Sequence, residues 1–137
     1  MLRKVTYALY PNATQEAALL DMKGSHMRLS NAALEQRISA YRRCGVTVRY
    51  KDQCKDLTDL RAADPEFKAL NAQSSQVTLK RVDLAMQAFF RRVGRGEIPG
   101  FPRFKSFDRF SGWGYKTHGD GWKLTPGKDF HHGRLRL

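Results

Sequence analysis

Apolar residues recur along most of this chain at the spacing of helices. After Asn12 and Thr14, either of which can cap a helix N-terminus, Ala17, Leu20, Met27, Leu34, Ile38 and Tyr41 follow at intervals of three, four or seven residues. That stripe predicts an amphipathic helix, which Gly24 is expected to divide in two. Arg42 and Arg43 suit the negative end of the helix dipole, and Gly45 is a natural stop. A shorter helix is predicted from about Lys51, with Cys54, Leu57 and Leu60 on one face. Asp64-Pro65 closes it, because the residue before a proline is pushed out of helical space. Phe67 and Leu70 predict one further turn. The strongest helical pattern opens on Ser74 or Ser75 as cap. It turns Val82, Ala85, Met86, Phe89 and Val93 inward and Lys80, Arg81, Arg91 and Arg92 outward.

The two ends read differently. VTYALY, before Pro11, has the β-branched and aromatic content of a strand that proline would end. Composition shifts near residue 94, where GRGEIPGFPRFKSF begins. Beyond it Trp113, Tyr115, Trp122, Phe130 and Leu135 alternate with the turn signals GDG and PGKD, predicting short antiparallel strands joined by hairpins. The closing HGRLRL alternates like a strand, with partners expected beyond the terminus. With 137 residues, 41% of them hydrophobic, one modest core is expected, and the fold class is α+β.

Charge narrows the choice of partner. Twenty-five lysines and arginines against thirteen acidic residues give a formal charge of +12. Such an excess draws polyanions, nucleic acid first; a basic protein that is merely soluble, or one that binds anionic membranes, is the competing explanation. No run approaches the roughly 18 apolar residues of a membrane span, and the apolar run before Pro11 is too short for a secretory signal, so a cytoplasmic protein is expected. Cys44 and Cys54 lack Cys-x-x-Cys spacing, which argues against a zinc site and a disulfide framework.

Candidate chemistry concentrates where the long helix gives way to the glycine-rich segment. Arg91, Arg92, Arg95, Arg103, Lys105 and Arg109 face only Glu97 and Asp108 locally, and Phe89, Phe90, Phe101, Phe104, Phe107 and Phe110 interleave with them. Cations for phosphates beside rings that stack on bases suit single-stranded or structured nucleic acid. The alternative is a phenylalanine core with an arginine edge, and Phe89 reads as core. A nuclease needs convergent carboxylates for its metal ions. The acids here are scattered instead, and Asp52, Asp56 and Asp59 share a face in the ordinary manner of a solvated helix. His26, His118, His131 and His132 form no ligand set. No catalytic residue, metal ligand or cofactor is therefore expected in this chain.

Four segments resemble the TnpB/OrfB family of transposon proteins: YALYPNATQEAAL, NAALEQRISAYRR, SSQVTLKRVDLAMQAFFRR and GFPRFKS, in the family's order and spacing. The resemblance implies an RNA-guided DNA endonuclease related to type V CRISPR effectors. In that family a helical recognition lobe is inserted into a partial β-barrel, the wedge, ahead of a nuclease domain with divalent metal and a zinc ribbon. Carried over, residues 1–11 would be the first wedge strand, 12–95 a helical recognition domain of helix-turn-helix character, and 96–137 the remaining wedge strands, incomplete. The nuclease acids and Cys-x-x-Cys pairs have no counterpart here, so the chain is expected to bind without cutting. The resemblance assigns reading of the DNA motif beside the transposon end to Tyr50, Ser75, Gln76 and Thr78, although helix capping explains Ser75 equally well. Guide-RNA and backbone contacts fall on Arg91, Arg92, Arg95, Arg103 and Lys105. DNA, guide RNA and the transposon's companion transposase are the partners implied. The rival expectation is a truncated, stand-alone DNA- or RNA-binding repressor. The family arginine of the opening motif is Ala8 here, and Leu79 stands where a polar reader would serve.

Overall fold

A computed structural model describes residues 2–129 and 131–137. Four helices come first, α1 (Ala13–Cys44), α2 (Tyr50–Ala63), α3 (Pro65–Lys68) and α4 (Ala72–Gly94), followed by the strands β1 (Lys123–Pro126) and β2 (Gly133–Arg136). The protein is thus mostly helical with one small antiparallel sheet, an α+β arrangement.

Capping chemistry sets the helix limits. Asn12 opens α1 with a full capping box: its side chain accepts from Gln15 N–H, and the Gln15 carboxamide accepts from Asn12 N–H, each at 2.9 Å. Gly45 ends the helix in the left-handed conformation at φ 64°, which a glycine adopts without steric cost. Asp64 closes α2 and caps α3, where Pro65 occupies the first turn.

Several expectations change. Gly24 does not divide α1, which runs unbroken for 32 residues because Gly24, Ser25 and His26 are buried. The cap of α4 is Asn71, whose side chain accepts from Ser74 N–H at 2.9 Å; Ser74 and Ser75 lie inside the helix. VTYALY forms no strand among the described residues, and Tyr7, Leu9 and Tyr10 are exposed. A strand needs a ladder partner, and propensity alone does not supply one.

The core lies where α1 crosses α4, sealed by α2 and α3. Leu29, Leu34 and Ile38 of α1 meet Leu79, Val82, Met86 and Phe89 of α4, with Leu57 and Phe67 packed beside them. Each fully buried side chain of this kind contributes about 1.5–3 kcal/mol. Val93, expected in the stripe, is exposed, and Ala85 is half-buried.

A buried polar network ties the same helices together. Arg37 Nη1 of α1 donates to Asp83 Oδ1 of α4 at 2.9 Å, and Arg37 Nε donates to Gln53 Oε1 of α2 at 2.8 Å. Gln53 Nε2 donates in turn to the Ala33 carbonyl, and Gln87 Nε2 donates to Asp83 Oδ2. Burial of these groups is tolerated because nearly every donor finds an acceptor; Arg37 Nη2 alone of the set lacks one among the described residues.

Strand β2 pairs antiparallel with β1, Leu124 opposite Leu135, and every residue of the two strands is exposed. HGRLRL therefore finds its partner within the chain. Phe130, counted among the aromatic residues of this region, lies outside the described residues.

Candidate nucleic-acid interface

Helix α4 carries the basic surface. Its 3.6-residue turn returns a side chain to nearly the same face after eleven positions, so Arg81 and Arg92 align, with Ala85 and Arg95 within about one side chain's width of that line. Arg91 points off to one side. All four arginines are exposed.

Beyond α4 the chain folds back beside this face. Phe101 stacks on Phe89 with ring centroids 4.6 Å apart and meets Tyr41 edge-on at 6.0 Å, while the Arg42 guanidinium lies 4.7 Å over its ring. The Asn31 carboxamide of α1 then grips the next stretch at two points: Nδ2 donates to the Lys105 carbonyl at 2.9 Å and Oδ1 accepts from Lys105 N–H at 3.0 Å. Between α1, α4 and the 102–111 segment this leaves a cleft of about 440 Å³, on which Arg81, Arg103, Lys105 and Arg109 converge.

Arg28, Arg37, Arg49 and Lys80 each pair with a carboxylate; Arg91, Arg92, Arg95, Arg103, Lys105 and Arg109, like most basic side chains of the protein, form no ion pair among the described residues, and these six are gathered in one region. Their field is uncompensated and open to water, the condition under which phosphates bind with counterion release.

The phenylalanines divide between two roles. Phe89 and Phe110 are buried, and Phe101 packs against the core. Phe104 and Phe107 are exposed, Phe107 beneath the ammonium of Lys23 at 4.4 Å.

The four residues expected to read DNA are dispersed. Ser75 and Thr78 point into the protein: Ser75 Oγ donates to the Asn71 carbonyl, and Thr78 Oγ1 lies 2.7 Å from His26 Nδ1. Gln76 is half-buried and accepts from Lys116 Nζ at 2.8 Å. Tyr50 is half-buried at the start of α2, its ring 5.0 Å beneath the Lys80 ammonium; burial, with the neighbouring Cys54, pushes its phenol up to about 12.

Thr78 turns toward His26 of α1. Residues 112–122 lie beside the first turns of α4, fastened by Arg81 Nη1 donating to the Gly112 carbonyl, by Asn71 Nδ2 donating to Asp120 Oδ1, and by Trp113 stacked on His26 at 5.6 Å. His26 is fully buried, with Nε2 3.3 Å from Ser74 Oγ. Desolvation, reinforced by the Arg81 charge, lowers its pKa from 6.5 to about 4, so the ring is neutral. One nitrogen then donates and the other accepts, and the two hydroxyls can satisfy either tautomer.

Sequence reasoning missed Asn31 and placed Arg81 merely on an outer face. The eleven-residue interval from Arg81 to Arg92 was the available signal. The grip of Asn31 on Lys105 spans 74 positions and left none. Among the described residues no group of three His, Cys, Asp or Glu side chains converges as a metal site, and no helix is long and apolar enough to cross a membrane. No protein-family model matches the chain, and no curated protein matches it.

Proposed function

We propose that this chain binds nucleic acid through the cleft-side face of α4 and the 101–110 segment, as the recognition part of a TnpB-like RNA-guided nuclease. One observation carries the reading: six exposed cations are gathered at the end of α4 and in the segment after it without an ion pair among the described residues, and no carboxylate lines the cleft that Arg103, Lys105 and Arg109 border. A surface needed only for solubility has no reason to gather its cations around one cleft.

In this reading Arg92, Arg95, Arg103 and Lys105, with Arg91 and Arg109 beside them, hold the phosphates of guide RNA and DNA. The hairpin β1–β2 and residues 2–11 belong to the wedge. Gln76, a half-buried polar side chain in the opening turns of α4, reads the DNA motif together with Lys116, and Tyr50 borders it. Ser75 and Thr78 support α4 from within rather than touch DNA. Cutting belongs to the nuclease domain of such a protein, and this chain supplies binding.

The test is the salt dependence of affinity for a labelled DNA duplex and a structured RNA. Affinity should fall steeply with salt, and Arg92→Gln with Arg95→Gln should flatten the logarithmic slope by about two. Absence of binding at low ionic strength would refute the proposal.

A further inference from the structure

We infer that the cleft between α1, α4 and the 102–111 segment seats one unstacked nucleotide of a single strand, its base against Phe104 and the aliphatic wall and its phosphates on the surrounding cations. The inference deepens the nucleic-acid reading and rests on it.

Three features of the cleft agree on this occupant. The first is its division into an apolar interior and a cationic surround. Leu34, Val82, Ala85 and Phe110 supply apolar surface, Arg81, Arg103, Lys105 and Arg109 supply charge, and no carboxylate lines it. A nucleotide has the matching division between a flat aromatic base and an anionic backbone; an acidic peptide offers the charge without the flat apolar face. Phe104 also lines the cleft and remains 54% exposed, a large ring in water beside cations that a stacked base would cover.

Size is the second feature. At about 440 Å³ the cleft falls within the roughly 300–1,000 Å³ typical of sites for small ligands, so it admits one base-sized group and excludes a double helix. A paired base is stacked between its neighbours and presents only edges, so the occupant must be unpaired.

Preorganisation is the third. Asn31 pins the Lys105 backbone through both its N–H and its carbonyl, and the Ser106 carbonyl accepts from Arg109 N–H and Phe110 N–H. Arg81 Nη1 is fixed on the Gly112 carbonyl at 2.7 Å. Little ordering remains to oppose binding. Because Arg81 and Arg92 share a face of α4, the cations continue past the cleft, and the ligand they fit is a strand longer than one nucleotide.

The test compares a fluorescein-labelled oligothymidylate, an oligouridylate and a blunt DNA duplex of equal length with the intact chain at low and moderate salt. Single strands should bind more tightly than duplex. Phe104→Ala should weaken single-strand binding by about tenfold and leave duplex binding unchanged, while Phe104→Trp should retain it. The oligothymidylate and oligouridylate arms report whether the strand is DNA or RNA, and tight binding of either supports the cleft. Equal losses for strand and duplex with Phe104→Ala, or no loss for either, would overturn the cleft while the phosphate-binding surface stands. Thymidine monophosphate binding as tightly as the oligomer would assign the site to a free nucleotide and overturn the strand. Absence of binding by every probe would remove both this inference and the reading beneath it.

Discussion

His26 makes a measurable demand on pH. The ring is fully buried, placed between Thr78 and Ser74 and covered by Trp113, and it is neutral because its pKa is lowered from 6.5 to about 4. An unfolded chain takes up a proton near 6.5 that the native protein refuses until about 4, so stability is full above 6.5 and declines as pH falls through that window. Across the whole window the loss is about 3 kcal/mol, and between pH 7.5 and 5 it is about 2 kcal/mol. Hydrogen bonds from Arg49 and Arg28 hold Asp52 and Glu66 below their ordinary values of 3.8 and 4.5, so their contributions fade only under more acid conditions. Urea unfolding at several pH values would measure the effect, with a midpoint drop of about 1 M between pH 7.5 and 5 for a typical urea dependence. His26→Gln keeps hydrogen-bonding capacity and cannot titrate, so its midpoint should be lower at pH 7.5 and nearly flat over the same interval. If the variant kept the wild-type pH dependence, the neutral buried imidazole could not be its source.

Three further outcomes are expected. Asp83→Asn leaves the Arg37 guanidinium buried without its counter-charge and should cost about 3–5 kcal/mol in thermal unfolding, whereas Arg37→Met with Asp83→Leu should recover most of the loss; additive losses would argue against the pair. Gly121→Ala should destabilise by about 1–3 kcal/mol, since the residue sits at φ 80° and a Cβ there would lie 2.7 Å from the Asn71 side chain that caps α4. Gly119→Ala, also at positive φ but in open space, should cost less by the same calorimetric measure. Gln76→Ala, which removes the acceptor for Lys116, should relax DNA sequence preference and spare RNA affinity; an equal fall for both ligands in a binding-site selection would contradict its role.

The helical frame was legible because its signals are local. Asn12, Gly45 and Asp64-Pro65 mark helix ends by their own backbone chemistry, and Leu34, Ile38, Val82, Met86 and Phe89 mark buried faces by periodicity. What remained illegible depends on partners distant in sequence. Nothing near Gly24 announces that α4 and Trp113 will pack against its neighbours and keep α1 continuous. Arg37, Gln53 and Asp83 look like solvated polar residues until three helices bring them together. Ser75 and Thr78 likewise read as exposed openers of a helix, because the partner of Thr78, His26, lies 52 positions earlier. The basic junction was visible as a list of cations, but the cleft was not, since it needs α1, α4 and the 102–111 segment at once.

The unequal packing of α1 has a consequence for how the protein opens. At about 1.5 Å per residue its 32 residues extend about 48 Å, yet burial begins only at Gly24, and the turns before it stand largely in water. A free helical stretch of that length is marginal, so amide protons between Ala17 and Leu20 will exchange through local fraying within a small fraction of the time needed near Leu34. Those near Leu34 and Ile38 are released only when the core itself opens. One uninterrupted helix thus spans the range from local fluctuation to global unfolding, with His26 at the boundary between them.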